Sequence, residues 1–463
     1  MASKKKADVN SATTVYIDPS LGSNGSGTLA SPRNTFVGLT ITNNYTYKVK
    51  CGTTYTYSAE LSLAGRTGVI VTSYGSGAKP IMNFTGAGTC AIRFGTSTNC
   101  FVVNLEVTTD IAQSVATIIQ MGNGSGSDGG TGLTVSACRL HNVKNGASAG
   151  GIGIRGGGTN ILIRDCEIYD TGDDGIYLAN TTNLEIGLCN IHHVNQNYSG
   201  VAKGFLALGN GALGDGIQLD GYWNNAHIYN TTIDRTDVYT GNKFALILGG
   251  VVGPAIFNTA IIEGCTFKVR SGANINYCVY IGQGNGVIFR FNKVQGLTSG
   301  VRVTGVYCLD TLVHHNIFVD CVDSSIAYVN GRVEDNNLGY PSGNLAYNNV
   351  FLRGSGIYAY ISLNGGDLHM ANNIFGDGNV TAFTAGGPAT YNKENNCYED
   401  PTKIGTGGLE SGGITGDPLF VNTAIDDFHL QTSSICRNAG VNVSIMEDFN
   451  GHIVPSTNLG IYF

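Results

Sequence analysis

The amino-acid sequence predicts an all-β solenoid, a stack of short strands wound rung upon rung. Three observations predict it. First, a Cys, Thr, Asn or Leu recurs two residues before an apolar or aromatic residue inside strand-like runs. The positions are Leu105, Cys138, Cys166, Cys189, Thr231, Cys265, Asn292, Asn316, Asn349, Asn373 and Asn396, at intervals of 23 to 42 residues. Self-similarity at that period marks a stacked architecture. Second, the runs alternate apolar and polar residues, the period-2 sign of a half-buried strand. Third, 67 of 463 residues are Gly and only 13% are charged, against about a quarter in ordinary proteins. That composition suits tight turns and neutral wet faces, not helices.

Each repeat reads as a first strand carrying the recurring residue, a polar turn and a second strand. First strands include LTVSACRL (133–140), NILIRDCEIY (160–169), NLEIGLCNI (183–191) and GVIFRFNKV (286–294). Second strands include GGIGIRG (150–156), DGIYLAN (174–180), DGIQLDG (215–221) and CVYIGQG (278–284). A strand that returns one rung later in the same direction pairs in parallel with its predecessor. Asn at equivalent places in the later rungs predicts a ladder of side-chain amides. Cys138, Cys166, Cys189 and Cys265 at the same place predict a stack of small buried thiols, because free Cys behaves as a small hydrophobe. The twelve Cys therefore read as reduced structural residues. No C-x-x-C pair and no Cys/His spacing points to a metal or cofactor. A sandwich or propeller needs two-residue hairpin signals, which are sparse.

A net charge of -7 does not indicate nucleic-acid binding. No run of 18 apolar residues predicts a membrane span. The N-terminus, MASKKKADVNSATT, has a basic cluster at Lys4, Lys5 and Lys6 but no apolar stretch behind it, so no secretory leader is expected.

Three stretches carry a family resemblance. VYIDPSLGSNGSGTLASP (15–32) reads as an opening motif and YKVKCGTTYTYSAELSLAGRTGVIVTSYGSGAKPIM (47–82) as a first full rung. The segment from GDPLF (416–420) to the final GIYF (460–463) reads as a closing segment. Through them the chain resembles the right-handed parallel β-helix proteins of the pectate-lyase-like group. The resemblance implies a basic arm over 1–13, a cap with first strands over 14–60, a β-helix over 61–400 and a closing segment over 401–463. Such proteins are polysaccharide lyases, glycoside hydrolases, or bacteriophage tailspikes and related virion parts, so no catalytic residue carries over from the fold. The basic arm and the lack of a leader favour the virion type. That type implies synthesis in the host cytoplasm, a homotrimer, docking to other virion proteins through the arm, and a bacterial surface polysaccharide as ligand. A non-catalytic structural or receptor-binding virion protein is one alternative, and a secreted, extracellular polysaccharide lyase is another.

The candidate catalytic residues are Asp173, Asp174 and Asp215. Asp174-Gly-Ile-Tyr-Leu aligns with Asp215-Gly-Ile-Gln-Leu. If residues 195–212 form an excursion, the two acids lie on successive rungs, roughly 5 Å apart at the parallel-strand spacing. That spacing suits a retaining glycosidase pair. Tyr177, Tyr222, Trp223, Arg155 and Asp220 are the candidate substrate-binding residues, with the rings stacking on sugars. Asp173-Asp174 resembles the Asp-Asp motif of polygalacturonase-type hydrolases, but the Asn-Thr-Asp, Gly-His-Gly and Arg-Ile-Lys partners of that motif are missing. The plain alternative is that each Gly-Asp-Gly-like stretch is a bend capped by its Asp. His141, His192 and His193 follow first strands on neighbouring rungs, where they either decorate turns or bind metal and move protons. His314-His315 reads as a wet strand face. Asp18, Asp417 and Asp448 read as structural turns that close the stack.

Overall fold

The computed structural model describes residues 13–110, 115–122, 129–143, 151–194, 214–235, 244–249, 258–269, 277–296, 299–329, 339–355, 359–443 and 459. The basic cluster at Lys4–Lys6, the 195–212 segment and Asp448 lie outside them. Among the described residues the only helical elements are 3-10 turns at Pro401–Lys403 and Thr423–Ile425. The chain divides into two units, 1–214 and 215–463, and both repeat one plan: three parallel ladders per unit.

In the first unit one ladder climbs from Thr13–Ile17 through Tyr45–Lys50, Ile70–Tyr74, Phe101–Val103 and Thr134–Ser136 to the second half of Ile152–Arg164. A second runs from Leu61–Ser62 through Gly88–Gly95 and Val115–Met121 to the first half of Ile152–Arg164, then to Ile176–Gly187. The third joins Thr54–Tyr57, Ile81–Phe84, Glu106–Thr109, Arg139–Val143, Glu167–Thr171 and Asn190–His192. Strict register puts like residues above like. Ile92, Ile119, Ile154 and Ile176 form one fully buried column. Val102, Val135, Ile163 and Ile186 form another. Each such side chain contributes about 1.5–3 kcal/mol by leaving water. Ile152–Arg164 serves two ladders because it bends at Gly156, where φ is 141° and a Cβ would lie 1.4 Å from the Met121 carbonyl oxygen. Only glycine fits there.

The recurring Cys position is the corner between the first and third ladders. A left-handed residue precedes each: Ala137 (φ 51°), Asp165 (54°) and Leu188 (54°). The thiols of Cys138, Cys166 and Cys189 each donate to the carbonyl two residues back at 3.3 Å. They also approach the carbonyls of Val102, Val135 and Ile163, one rung earlier. All twelve cysteines are free, and all but Cys51 are buried. Burial pushes the Cys90, Cys308 and Cys321 thiols up to about 12, which keeps them protonated and inert.

The second unit has the same ladders. One runs from Ile217–Leu219 through Leu246–Leu248, Tyr277–Ile281, Ser299–Thr304, Ile326–Val329 and Ala359–Leu363 to Thr381–Ala385. Another runs from Ala226–Tyr229 to Ala389–Glu394. The third runs from Thr232–Arg235 to Ile414–Thr415. The corner now holds asparagine. Asn292, Asn316, Asn349 and Asn373 each donate a backbone N–H and a side-chain N–H to the Oδ1 of the next Asn, at 2.9–3.1 Å. Their amides also donate to the carbonyls of Ile262, Phe289, Val313 and Ala346 below. The predicted amide ladder is therefore present and fully bonded. It ends on Glu410, whose Oε1 accepts from the Asn396 backbone and side chain. Buried Lys393 and the Tyr398 hydroxyl hold that carboxylate.

Inside the corner, Phe318, Phe351, Phe375 and Tyr398 stack at centroid spacings of 5.2, 5.0 and 5.3 Å. Outside, the third ladder is also apolar and is covered by the C-terminal segment. An antiparallel hairpin of Phe420–Asn422 and Asp427–Leu430 lays Phe428 and Leu430, with Cys436, against Ile317, Val319, Val350, Leu352 and Ile374. The expected turns at Asp18 and Asp417 exist: Asp18 is buried and bonded to Ser20 and Lys50, and Asp417 accepts from the Leu419 N–H.

One expectation is overturned. His314 and His315 are not a wet strand face. His315 occupies the left-handed corner (φ 52°), which breaks the alternation, and both rings are buried. Their Nδ1 atoms meet at 2.9 Å, and His315 Nε2 meets the Asn348 amide at 3.0 Å.

Two outcomes follow for stability. Asn349→Leu strips donors and acceptors from two joints of the ladder and leaves the Val313 carbonyl unmet, so urea unfolding should show a loss of about 2–4 kcal/mol. Burial, aided by the Arg290 charge, pulls the His315 imidazole down to about 3, below its ordinary 6.5. The unfolded chain then takes up the proton first, so stability is full above pH 6.5 and falls as pH drops toward 3. His315→Asn, with a residue suited to the same corner, should flatten that part of the pH–stability curve.

Candidate functional site

The site begins with the outward side chains of the second ladder in the first unit. Four strands there read CAIRFG (90–95), TIIQMG (117–122), GIRGG (153–157) and GIYLA (175–179). Alternation turns the isoleucines inward and the next residue of each away from them; Arg93, Arg155 and Tyr177 are half-buried there, while Gln120 is covered at 1% exposure. Arg93, Gln120, Arg155 and Tyr177 are direct register partners, a row of polar groups at the parallel-strand spacing of about 4.8 Å. The two arginines differ. Arg93 is held by both oxygens of Glu60 at 2.9 and 3.0 Å, which neutralises it. Arg155 has no carboxylate among the described residues. Its guanidinium lies 5.6 Å from the Tyr177 ring centre, and its buried Nε has no acceptor. A guanidinium in that state presents charge and forked donors to a carboxylate brought from outside.

Of the sequence-predicted site residues, Arg155 and Tyr177 are thus brought together. Asp173 and Asp174 lie in the bend entering the Tyr177 strand. The Asp174 carbonyl accepts from the Gly153 N–H, and the Asp174 side chain is 3% exposed. Asp215 opens the second unit and is 2% exposed. Its Oδ1 accepts from the Phe244 N–H at 2.8 Å, so Asp215 anchors a bend there. The expected juxtaposition of Asp174 and Asp215 spans the two units, and each acid is placed only within its own. Asp220 accepts from the Gln218 amide at 3.0 Å, on the same strand. Tyr222 is 64% exposed.

Trp223 corrects an expectation. It is fully buried, its indole N–H donates to the Gly249 carbonyl at 3.2 Å, and its backbone N–H is met by Asn258. The ring is core and has no face left for a sugar. Sequence reasoning also missed Arg93 and Gln120. The signal was the repeated Ile-Arg, Ile-Gln, Ile-Arg, Ile-Tyr dipeptide, visible only once the two earlier rungs are aligned with the later ones.

The histidines sit on the third ladder. His141, Tyr169 and His192 are register partners with rings stacked at 4.7 and 5.1 Å, nearly parallel. Glu106 and Glu167 meet the His141 and His192 Nε2 atoms at 3.1 and 3.4 Å, and Arg139 lies between both acids. The rings occupy each other's faces and the charges pair off, which reads as a structural column. His192 and His193 also meet through Nδ1 at 2.7 Å. Among the described residues no three His, Cys, Asp or Glu side chains gather to hold a metal.

A family model described as the right handed beta helix region matches residues 81–234. The chain is a right-handed parallel β-helix. The A-module of mannuronan C-5 epimerase AlgE6 from Azotobacter vinelandii is 14% identical, covers 81% of this β-helix and 91% of its own length, and has a TM-score of 0.58. The AlgE4 A-module of the same organism is 12% identical, with coverages of 75% and 91% and a TM-score of 0.50. Tailspike protein 3 of bacteriophage CBA120 is 12% identical, with coverages of 80% and 52% and a TM-score of 0.46. The epimerase modules share the fold of this β-helix, and none of the three fixes its activity. No curated protein matches the chain.

Proposed function

We propose that this β-helix is a virion-associated, tailspike-like protein that binds an acidic bacterial surface polysaccharide along the row of Arg93, Arg155 and Tyr177. The observation that carries the reading is Arg155: a guanidinium braced on a tyrosine ring, in a row of hydrogen-bonding side chains, without a carboxylate partner among the described residues. Repeating groups at strand spacing on a rigid sheet suit a repeating ligand, and a guanidinium in that state suits one with carboxylates. The basic N-terminal sequence, Lys4 to Lys6, is the proposed contact to other virion proteins. Homotrimer assembly and synthesis in a host cytoplasm belong to the same reading.

Cleavage is the further step of this reading, with Asp174 as its first candidate carboxylate and Asp173 and Asp215 beside it in the sequence argument. The bond from the Phe244 N–H to Asp215 favours a bend anchor at that position. It therefore supports the second reading, a non-catalytic receptor-binding protein.

Binding of purified acidic and neutral capsular glycans to the full chain and to Arg155→Ala tests the proposal. Acidic glycans should bind more tightly, weaken with added salt, and lose about tenfold or more in Arg155→Ala, as expected for a charge-assisted contact. Equal affinity for neutral glycans together with an unaffected variant overturns the reading. Release of reducing ends that disappears in Asp174→Asn assigns hydrolysis. A rise in ultraviolet absorbance from unsaturated ends assigns a lyase. Retained binding with neither signal assigns the non-catalytic protein.

A further inference from the structure

The ladder of the second unit that runs from Ile217–Leu219 to Thr381–Ala385 carries an arginine of its own. Arg302, on Ser299–Thr304, is the direct register partner of Tyr280, on Tyr277–Ile281. Alternation buries their neighbours Val279, Ile281, Val301 and Val303 and leaves Tyr280 and Arg302 half-buried on the other face. Tyr277 opens the Tyr280 strand, and Phe244 stacks beside it with ring centres 6.3 Å apart and planes 11° from parallel. Phe244 also packs against Tyr280 at 5.3 Å. The Phe244 backbone is held at both ends: its N–H donates to Asp215 Oδ1 and its carbonyl accepts from Arg235 Nη1. Three half-buried rings and one guanidinium thus share a patch.

The state of that guanidinium sets the ligand chemistry. It lies 4.6 Å from the Tyr277 ring centre, and its Nη1 donates to the Tyr277 hydroxyl at 2.5 Å. Its buried Nε has no acceptor, and no carboxylate pairs with it among the described residues. With Nη1 engaged, the Nε–Nη2 edge of the fork remains, an edge that takes both oxygens of a carboxylate side by side. Arg235, the other cation at the patch, is fully buried. One solvent-reaching charge matches the single charge of a carboxylate better than the nearly double charge of a phosphate monoester. The rings add a second demand, a ligand with an apolar face, and the C–H face of a sugar ring supplies it.

We infer that the patch of Phe244, Tyr277, Tyr280 and Arg302 is a binding site for a hexuronate, a six-membered sugar ring bearing one carboxylate. It shares no residue with the Arg155 row, so it goes beyond the function proposed above and does not rest on it. Arg155 is braced on one tyrosine, whereas Arg302 stands among three rings. The patch therefore reads the sugar ring as well as its charge.

Saturation-transfer NMR and calorimetric titration of the full chain test it. The probes are the methyl glycosides of D-glucuronate and D-galacturonate, with methyl β-D-glucopyranoside as the neutral comparison and glucose 6-phosphate as the phosphate comparison. Titrations in the Arg155→Ala background remove the other arginine from the reading. There at least one uronate should bind, about tenfold or more tighter than either comparison. Adding Arg302→Ala should weaken it about tenfold or more, and Arg302→Lys nearly as much, because an ammonium keeps the charge and loses the fork. Tyr280→Leu removes one ring of the wall, should also weaken the uronate, and serves as the test if the Arg302 variants do not fold. The inference is overturned if the neutral or phosphate comparison binds as tightly as the best uronate, or if a folded Arg302 or Tyr280 variant binds as its background does. Loss of all uronate binding in Arg155→Ala alone overturns this site and leaves the Arg155 row standing.

Discussion

The whole molecule depends on how one corner is bonded. Where the first strand of a rung turns into the next, one residue goes left-handed and its successor points inward. That successor reaches a carbonyl of the rung before. Cys138, Cys166 and Cys189 do so with a weak thiol whose one hydrogen is shared with the carbonyl two residues back. The asparagines from Asn292 to Asn396 do it with an amide that also accepts, so each joint gains a bond upward as well as downward. A buried corner without such a residue would leave backbone carbonyls unmet, at about 1–3 kcal/mol each. The corner therefore locks the register of all three ladders at once.

A locked register is what makes a binding face possible. On a single strand, Arg155 is one arginine. Held in register with Arg93, Gln120 and Tyr177, it belongs to an array whose spacing is set by backbone hydrogen bonds, with little left to side-chain choice. The contrast between Arg93, clasped by Glu60, and Arg155, braced on the Tyr177 ring, shows that the array is not uniform. Neighbouring positions on the same row carry different electrostatic states.

The fold was legible because its determinants recur. The corner residue repeats, alternation marks the strands, and the change from Cys to Asn announces the amide ladder. The site was legible only in part. Tyr222 and Trp223 were both assigned to sugar contact, yet adjacent strand residues point to opposite faces. One had to be core, and burial chose the larger ring. His314 and His315 escaped for the opposite reason: the left-handed turn at His315 suspends alternation, so neighbours are buried together. Arg93 and Gln120 lay in rungs whose kinship shows only after alignment. The pairing of Lys293 with Asp426, 133 residues apart, has no local signal, because it depends on where the closing segment folds back.

Glu410 gives the amide ladder an end that is independent of its length. Every asparagine from Asn292 to Asn373 passes the same bond to the next, and only the last meets the carboxylate. The bonding of the amide ladder thus sets no rung number; the closing segment, which reaches back to Lys293, Arg353 and Asn372, does. A duplicated or deleted rung leaves each remaining joint chemically identical and the terminator untouched. Within the ladder a rung can be added or removed without a new terminator, and the boundary that would have to move with it is the closing segment.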